Sequence, residues 1–340
     1  MNKKPFVSII LPIRNESKTI RECMDSILTQ DYTGPIEILI ADGMSTDSTR
    51  MIIGEYQRQQ MNIHLIDNPG KIVPTGMNAA LRMAKGDIVI RVDGHCIIAP
   101  DYVSNCVYHL LNAEIDGVGG PMQTIGETPI SETIAIAMSS QFGVGNSAFR
   151  TLSGRTILAD TVPFPAYTRS IIERVGLYDE ELVRNQDDEY NYRIREIGGK
   201  ILLADNVRSK YYSRGSLSKL WKQYFQYGFY KIRVLQKHPR QMSLRQFIPP
   251  LFVVALMSSV ILTLLTTGGW ITLLFVGGGY LLANLAASLI TAARKGWRHI
   301  TVLPLTFAIL HISYGLGFLN GLLHFWNRWN DKVGKMPSWN

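Results

Sequence analysis

The sequence predicts an α/β domain with a mainly parallel sheet, followed by a basic connecting segment and a C-terminal α-helical membrane region. Short β-branched runs alternate with helical patterns over residues 1–205, and repeated strand–helix units of this kind build parallel sheets. Residues 206–247 contain ten basic and no acidic side chains. Residues 248–340 contain three long apolar stretches. These three ranges are the predicted domain boundaries.

Four strands are predicted within the α/β domain, and a helical pattern follows each of the first three. The strands are placed at 6–13, 36–41, 62–67 and 86–95, and the helices after Ser17, from about Thr46, and over about 75–85. The first helix is expected to use Ser17 as its N-cap. Its buried face is predicted to consist of Ile20, Cys23, Met24 and Ile27. Parallel sheets bind ligands beyond the carboxyl ends of their strands, where Asp42 and Asp93 both lie.

Each of the three apolar stretches is long enough for a hydrocarbon core, which needs about 20 residues. They cover 248–266, 270–292 and 300–323. The loop RKGWRH at 294–299 is basic, which predicts a cytoplasmic position, so the first helix leaves the cytoplasm and the second returns. Pro304, His311 and several glycines interrupt the third stretch. The pattern leaves open whether it spans the membrane or re-enters.

The net charge of +8 is unevenly distributed along the chain. Residues 1–205 carry 19 basic and 26 acidic side chains, a net −7, whereas residues 206–247 carry a net +10. Nucleic acid is therefore a poor explanation of the basic charge. A basic block beside apolar segments is typical of contact with anionic membrane lipids.

Residues 216–237 have a helical period that gathers apolar and aromatic side chains on one face. This face consists of Leu217, Leu220, Trp221, Tyr224, Gly228, Ile232 and Leu235. The polar side chains predicted to lie elsewhere are Lys219, Lys222, Gln223, Gln226, Arg233 and Lys237. A basic amphipathic helix at the membrane interface is predicted. The alternative is an ordinary helix packed on the α/β domain.

Cysteine usage and the N-terminal residues both favour a cytoplasmic α/β domain. The three cysteines, Cys23, Cys96 and Cys106, form no CxxC pair, and their odd number favours buried thiols in a reducing compartment. The apolar run at 6–13 contains a proline and then meets charged residues, which is unlike a signal peptide.

Three polar segments follow strands or begin a helix, and each has a functional and a structural interpretation. In ADGMSTDST (41–49), Asp42 can accept hydrogen bonds from a base or ribose, or the segment can simply cap a helix through Ser45 and Asp47. In Asp93-Gly94-His95, a carboxylate and an imidazole can approach one divalent ion, or form a strand-end turn with a surface histidine.

The third segment, QDDEYNYR (186–193), contains three adjacent acids. A carboxylate here can take the proton from an attacking hydroxyl. The alternative is that the acids only favour a helix start, through the helix dipole.

The order of these segments resembles that of the family 2 glycosyltransferases, which have the GT-A fold (Rossmann-like). The resemblance covers nearly all of residues 6–205, and residues 214–239 are similar to the subgroup of the succinoglycan-biosynthesis type, which builds bacterial exopolysaccharide. The matching segments are VSIILPIRNE (7–16), ADGMSTDST (41–49), NPGKIVPTGMNAAL (68–81), AKGDIVIRVDGH (84–95), VGLYDEEL (175–182) and QDDEYNYRIREIGGKI (186–201).

The resemblance implies a role for individual residues. It places Pro12, Asn15, Glu16, Asp42, Lys71 and Asp93 at the nucleotide-sugar donor. Asp93 and His95 match the family's DxD motif, which contacts a divalent metal, Mn²⁺ or Mg²⁺. His95 replaces the second Asp, and imidazole favours Mn²⁺ over Mg²⁺. Asp187 matches the Asp of the ED motif, the catalytic base, with Gln186 in place of the Glu.

The sequence as a whole predicts an inverting glycosyltransferase in the bacterial cell membrane, multi-pass, with a cytoplasmic catalytic domain. Its predicted partners are a nucleotide-sugar donor, taken to be a UDP-sugar, a polyprenyl-linked saccharide acceptor, and an exopolysaccharide assembly complex. The processive synthases' QxxRW motif is not evident, which favours addition of a single sugar. One alternative is a polyprenyl-phosphate sugar transferase that charges the carrier lipid. Another is a non-catalytic membrane assembly subunit, against which the intact Asp42, Asp93 and Asp187 argue.

Overall fold

The structure is a computed structural model that describes residues 3–145, 147–151, 154–332 and 334–339. The described residues form two compact units. The first contains 3–123, 154–211 and 334–339, and the second contains 124–145, 147–151 and 212–332. The predicted boundary at residue 205 differs from this division in three places, because 206–211 and 334–339 belong to the first unit and 124–151 to the second.

The strands within the described residues form an eight-stranded sheet and a three-stranded sheet. They are β1 Val7–Ile13, β2 Ile36–Asp42, β3 Ile63–Asp67, β4 Ile88–Arg91, β5 Cys96–Ile98, β6 Gly117–Gly119, β7 Met122–Ile125, β8 Ile157–Leu158, β9 Ala166–Thr168, β10 Ile201–Leu203 and β11 Ser209–Tyr212. The larger sheet has the order β3-β2-β1-β4-β9-β6-β10-β8, and the smaller has the order β5-β11-β7. Strands β1 to β4 are parallel to one another, as predicted, whereas β9 is antiparallel to both β4 and β6.

The helices follow the strands and then dominate the C-terminal part. They are α1 Ile20–Leu28, α2 Thr49–Gln59, α3 Val73–Met83, α4 Tyr102–Asn112, α5 Pro129–Met138, α6 Gln141–Val144, α7 Ala148–Thr151, α8 Arg169–Val175, α9 Gln186–Glu196, α10 Leu217–Lys237, α11 Ile248–Leu265, α12 Gly269–Leu273, α13 Gly279–Lys295 and α14 Leu303–His324. A π-helical turn, Leu274–Gly278, joins α12 to α13.

The first strands and helices confirm the predicted alternation. All of β1 is buried, as expected for a strand inside a parallel sheet that helices cover on both faces. Helix α1 buries the four predicted side chains. The prediction of Ser17 as its N-cap is wrong. The N-cap is Thr19, because the Ser17 amide donates to Asp47 Oδ2 at 3.2 Å and residues 16–19 form a turn first.

The predicted fourth strand, 86–95, ends earlier than expected. Strand β4 stops at Arg91, and the Cys96 amide then donates to the Asp93 carbonyl at 3.0 Å, which closes a tight turn. The chain reverses there and enters β5. This turn therefore presents residues 93–95 at the carboxyl edge of the sheet. All three cysteines are free and buried, and burial raises the pKa of each thiol.

In the second unit, helices α10 and α14 pack closely through glycines. A Cβ at Gly228 would lie 2.1 Å from the Tyr314 carbonyl oxygen, and one at Gly317 would lie 2.0 Å from the Phe225 carbonyl oxygen. Only glycine allows backbones to approach this closely. The two helices run in the same direction, because Phe225 on α10 meets Gly317 and Phe229, one turn later, meets Gly321.

The packing of α10 confirms part of the predicted apolar face and corrects the rest. Leu220, Tyr224, Gly228 and Ile232 are buried, but Trp221 is exposed. Three polar side chains predicted to lie elsewhere are also buried: Gln223, Arg233 and Lys237. Arg233 is covered because its guanidinium donates to Gln236 Oε1 at 2.5 Å and to the Asp331 carbonyl oxygen at 3.1 Å. The charged face of this helix is therefore narrower than the sequence pattern indicates.

Replacing Gly317 with Ala should destabilise the second unit, because the new methyl group would overlap backbone atoms that cannot rotate away. Overpacking of this kind costs typically about 1–3 kcal/mol. The matched control is Gly279→Ala, where a Cβ would meet nothing within 4 Å. We expect thermal unfolding in detergent to occur at a lower temperature for Gly317→Ala alone. Equal unfolding temperatures for the two variants would contradict the close packing of α10 on α14.

The three predicted apolar stretches form helices that are long and apolar enough to span a membrane, which confirms a C-terminal α-helical membrane region. These candidate spans are Leu244–Leu265, Gly269–Lys295 and Leu303–His324. The third is one continuous helix, and Pro304 lies in its first turn, where the missing N–H is not needed. Its glycines face neighbouring helices and do not interrupt it.

Candidate active site

The candidate site is built on loops that follow the parallel strands. Asn15, Met44 and Lys71 follow β1, β2 and β3, and each has a left-handed backbone, with φ of 55°, 56° and 59°. Asn185, with φ of 63°, directly precedes α9. Non-glycine residues in this conformation are strained, and such strain collects at functional sites. The sequence interpretation missed this feature, since none of these residues is a glycine.

The first two loops are joined by backbone hydrogen bonds to side chains. The Thr46 amide donates to Asn15 Oδ1 at 2.8 Å, and the Asn15 amide donates to Ser45 Oγ at 2.8 Å. The Glu16 amide donates to Thr49 Oγ1 at 2.9 Å. Asn15 is exposed at the edge of the sheet. By contrast, Pro12 is a buried residue inside β1.

Asp42 lies at the end of β2, where its side chain is fully buried. Its carboxylate accepts from the Ser45 amide at 3.0 Å, from the Ser45 hydroxyl, and from the Arg50 guanidinium at 2.8 Å. Arg50 is partly exposed and also donates to Asp67 at 2.8 Å. The hydrogen bond that Arg50 donates to Asp42 raises the pKa of Arg50. The solvent-facing cation at this position is therefore Arg50, which the sequence interpretation missed.

The N-cap of α2 is Ser48, which makes no side-chain capping hydrogen bond, so neither Ser45 nor Asp47 is the N-cap; Asp47 bonds to the start of the helix from one residue earlier. Its Oδ1 accepts from the Thr49 amide at 3.0 Å, at the start of α2. Burial alone would raise the pKa of Asp47, but hydrogen bonds from Thr49 and Ser17 lower it to about 2. Ser45 instead bonds to Asp42, and Lys71 lies exposed on the next loop, where its amide donates to the Asn68 carbonyl at 3.0 Å.

The turn after β4 holds His95 against Glu16. His95 Nδ1 lies 2.9 Å from Glu16 Oε1. The Tyr211 ring packs edge-on against the imidazole, with 5.0 Å between the two ring centroids. Gly94 is required here, because a Cβ would lie 2.9 Å from the Ile13 side chain and 3.0 Å from that of Glu16. A carboxylate at Nδ1 fixes the ring so that Nε2 is the nitrogen able to bind a metal, an arrangement common among histidine ligands.

The residues at this turn fit a divalent ion that they would coordinate together with a bound substrate. The described part of the chain contains no preformed group of three His, Cys, Asp or Glu side chains able to hold a metal. Asp93 and His95 together would provide one carboxylate oxygen and one imidazole nitrogen. Ions of this kind are often held by one or two protein side chains, with substrate phosphates and water completing the shell.

Arg91 connects two of the predicted site residues. Its Nε donates to Asp93 Oδ1 at 3.0 Å, and its Nη1 donates to Asp187 Oδ1. The Arg91 side chain is 5% exposed, whereas that of Asp187 is 37% exposed. Burial by itself lowers the pKa of Arg91, but the charge of Asp93 raises it above its ordinary value. A buried cation thus brings together Asp93 and Asp187, which lie 94 positions apart in the sequence.

The three acids at the start of α9 have different surroundings. Asp187 faces Arg91, whereas Glu189 is fully buried and accepts from Arg193 at 2.7 and 3.0 Å. Arg193 also donates to the Val175 and Leu177 carbonyl oxygens, at 2.8 and 2.9 Å. Glu189 therefore anchors the helix, while Asp187 reaches the edge of the site.

The comparisons with known proteins agree with this architecture. Residues 8–176 match the family described as Glycosyl transferase family 2. The succinoglycan biosynthesis protein ExoA of Rhizobium meliloti is 29% identical over 329 residues, 94% of this chain and 96% of that protein. A dolichyl N-acetyl-alpha-D-glucosaminyl phosphate 3-beta-D-2,3-diacetamido-2,3-dideoxy-beta-D-glucuronosyltransferase of Methanococcus voltae is 29% identical over 327 residues, 94% of this chain and 97% of that enzyme.

Two solved structures share the fold. The mannosyltransferase PcManGT from Pyrobaculum calidifontis, in complex with GDP-Man and Mn²⁺, superposes with a TM-score of 0.59 at 19% identity, covering 94% of this chain and 88% of that one. GalNAc-T7 with UDP, GalNAc and Mn²⁺ gives a TM-score of 0.52 at 15% identity, covering 72% of this chain and 52% of that one. The chain therefore belongs to glycosyl transferase family 2 and is a membrane-anchored glycosyltransferase with the GT-A fold.

Proposed function

We propose that this enzyme moves one sugar, with inversion, from a UDP-sugar to a saccharide linked to a polyprenyl diphosphate. The observation that carries the proposal is the buried Arg91, which holds Asp93 and Asp187 on one guanidinium at the carboxyl edge of the sheet. The first is the candidate metal and diphosphate ligand, and the second is the candidate base. A transferase needs these two functions on either side of the anomeric carbon.

Asp187 is the proposed general base. Its partial exposure lets an acceptor hydroxyl approach, and the Arg91 cation keeps its carboxylate oriented. The acceptor oxygen forms a bond to the anomeric carbon as its proton passes to Asp187. The bond between that carbon and the diphosphate oxygen breaks, and the nucleoside diphosphate leaves with the electron pair. Alignment of the three reacting atoms supplies much of the rate.

The donor is proposed to lie along the loops after β1, β2 and β3. Asn15, Glu16, Lys71 and Asp93 reach this edge directly, whereas Pro12 and Asp42 are buried. The buried Asp42 contributes by holding Ser45 and Arg50 in place. Arg50 and Lys71 would supply positive charge for the diphosphate, which suits the anionic donor. The two solved structures, which hold GDP-Man or UDP together with Mn²⁺, support a nucleotide-sugar donor.

Asp93 and His95 are proposed to hold the divalent metal, Mn²⁺ or Mg²⁺. Once bound, the ion would offset the charge of the departing diphosphate. Removing divalent ions should abolish transfer, and Mn²⁺ should restore it at least as well as Mg²⁺, because imidazole suits transition metals better.

His95→Asp should shift the metal preference toward Mg²⁺, measured as the ratio of turnover with the two ions. The control is His109→Asn, which changes a half-buried histidine bonded to Asn206. Full activity after exhaustive chelation would refute the metal role. An unchanged ratio in His95→Asp would remove His95 as a ligand.

The acceptor and the location follow from the membrane region. The Methanococcus voltae relative is named for transfer to a dolichyl-phosphate-linked sugar, and ExoA is named for succinoglycan biosynthesis. We propose a bacterial cell-membrane enzyme with its catalytic domain, residues 1–205, in the cytoplasm. Its basic segment, 206–247, would face anionic lipid headgroups, and the membrane region, 248–340, would place it near an exopolysaccharide assembly complex.

The nearest competing function, charging of the carrier lipid itself, shares the fold and the membrane region. The two are separated by offering membranes the same UDP-sugar with either bare polyprenyl phosphate or a polyprenyl-diphosphate-linked saccharide. We expect product only from the lipid-linked saccharide. Product from bare polyprenyl phosphate would show that the enzyme charges the carrier.

A further inference from the structure

The tail that follows α14 is paired with the first unit. The Glu180 amide donates to the Lys335 carbonyl oxygen at 2.9 Å, and the Lys335 amide donates to Asp179 Oδ1 at 3.0 Å. The Arg82 guanidinium donates to the Ser338 carbonyl oxygen at 2.8 Å. Asp179 is fully buried. The tail and the first unit must therefore lie on the same side of any membrane.

This pairing determines whether the chain crosses the membrane an even or an odd number of times. Helix α14 ends at His324, 11 residues before Lys335. Those residues would span the roughly 30 Å hydrocarbon core only if almost fully extended. They instead contain turns. The Arg328 backbone amide donates to the Phe325 carbonyl oxygen at 3.0 Å, and the Asp331 backbone amide donates to the Arg328 carbonyl oxygen at 3.2 Å. They cannot cross back, so the chain crosses an even number of times between the first unit and the tail.

The position of α14 against α11 gives a second argument. Gly315 lies 12 residues into α14, about 18 Å along its axis. A Cβ there would lie 2.7 Å from the Pro249 carbonyl oxygen and 2.6 Å from Val253 Cγ2, in the first turns of α11. Helix α11 has 18 residues and is only as long as the hydrocarbon core, so its first turns lie at the core's edge. The middle of α14 is therefore at the membrane surface and not at mid-depth.

The charges on α10 give a third argument. Gly228 on α10 faces Tyr314, near the middle of α14. Exposed Lys222 lies six residues from Gly228, about 9 Å along the helix. If α14 crossed the membrane, α10 would accompany it and place this ammonium group in lipid. A lysine near the bilayer centre is costly, by about 2.5–3.5 kcal/mol on insertion scales.

The third candidate span also differs from the first two in how much of it is buried by protein. Only 17% of the most apolar window of the first span and 11% of that of the second are buried, against 50% for α14. The first two therefore present broad apolar surfaces that lipid must cover. Half of helix α14 is covered by protein, including α10 and α5.

We infer that α14 does not cross the membrane. The spans Leu244–Leu265 and Gly269–Lys295 cross as a hairpin, and α10 and α14 form a pair that lies along the membrane surface. This pair binds the lipid interface. The exposed side chains of Leu305, Leu323 and Trp326 provide apolar surface for that contact. Tryptophan is enriched at that depth. The inference holds whichever sugar is transferred and on whichever side the first unit lies.

Single cysteines test the number of crossings. The three native thiols are buried, so a membrane-impermeant maleimide should report mainly on added ones. Met61→Cys marks the first unit, Thr267→Cys marks the turn between the two spans, and Met336→Cys marks the tail; all three positions are exposed. Labelling is compared in intact and permeabilised cells. Lys332→Cys provides a second, exposed tail position in case Met336→Cys does not accumulate.

We expect both tail cysteines to behave like Met61→Cys, and Thr267→Cys to show the opposite accessibility. A tail cysteine that labels together with Thr267→Cys would establish a third crossing and overturn the inference. Equal accessibility at all positions would overturn it as well, because the hairpin would then not cross. Sugar transfer by each variant is measured in parallel, so a failure of the proposed activity is seen separately from the sidedness of the tail.

Discussion

Replacing Asp187 with Asn should lower turnover by about 10²–10⁴-fold, the usual contribution of a general base. The amide keeps the shape of the side chain and an oxygen for Arg91, but it cannot take the proton of the acceptor hydroxyl. Affinity for the UDP-sugar should be nearly unchanged, because the donor is assigned to the loops after β1 to β4. Turnover and donor affinity are measured on the same membrane preparation.

The matched control is Asp188→Asn, in the same turn of α9 and also half-buried. It makes the same chemical change one residue away from the carboxylate that faces Arg91. We expect its turnover to stay within a few-fold of the original, a change that corresponds to roughly 1 kcal/mol or less. Near-normal turnover in Asp187→Asn would refute the assignment. A large loss in Asp188→Asn alone would move the base by one residue.

Replacing Glu189 with Gln should cost about 3–5 kcal/mol in the free energy of unfolding, because it leaves the Arg193 guanidinium buried without its counter-charge. Unfolding is followed by heat or denaturant in detergent, with Glu196→Gln as the control. Glu196 is exposed in the same helix, and its replacement should change stability by no more than about 0.5 kcal/mol.

The two α9 variants also separate catalysis from stability. Glu189→Gln should lower the amount of folded protein, while the molecules that remain folded turn over at close to the original rate. Asp187→Asn should show the reverse. If Glu189→Gln unfolded no more easily than Glu196→Gln, the buried ion pair would not have the structural role assigned to it.

The parallel strands and their order along the chain could be predicted from the sequence because the pattern is local. Continuous apolar runs such as Val7–Ile13 mark buried strands, and the helical period of residues 20–27 marks the covering face. The polar residues at strand ends then follow from the geometry of a parallel sheet. Asp42 and Asp93 were identified in this way, whereas Asp187, in the first turn of α9, was identified through the family resemblance.

What the sequence does not show depends on contacts between distant segments. Arg91 was not singled out from the sequence, and its two carboxylate partners become apparent only when β4 and α9 are placed side by side. Asp42 faces inward for the same reason, since Arg50 returns to it from the next helix. Arg233 is buried where the segment after α14 folds back and accepts a hydrogen bond from it.

The length and apolarity of a helix also do not determine whether it crosses a membrane. Residues 303–324 satisfy both criteria, and the sequence left their placement open. Their placement is instead indicated by tertiary contacts, namely the glycine contacts with α10 and the pairing of Lys335 with Asp179. They cannot be derived from hydropathy, because they concern which helix or domain covers the apolar surface.

The central claim is that this enzyme adds a sugar from a nucleotide donor to a lipid-linked saccharide, with Asp187 as the base. The most direct test incubates membranes carrying the original chain or Asp187→Asn with a panel of UDP- and GDP-sugars and the lipid-linked acceptors of the host. Lipid products are then identified by mass spectrometry. The proposed function predicts that one UDP-sugar increases the mass of a lipid-linked saccharide by a single sugar, and that Asp187→Asn membranes form this product at least about 100-fold more slowly. Equal rates of product formation in the two membranes, or no lipid product from any donor, would contradict it.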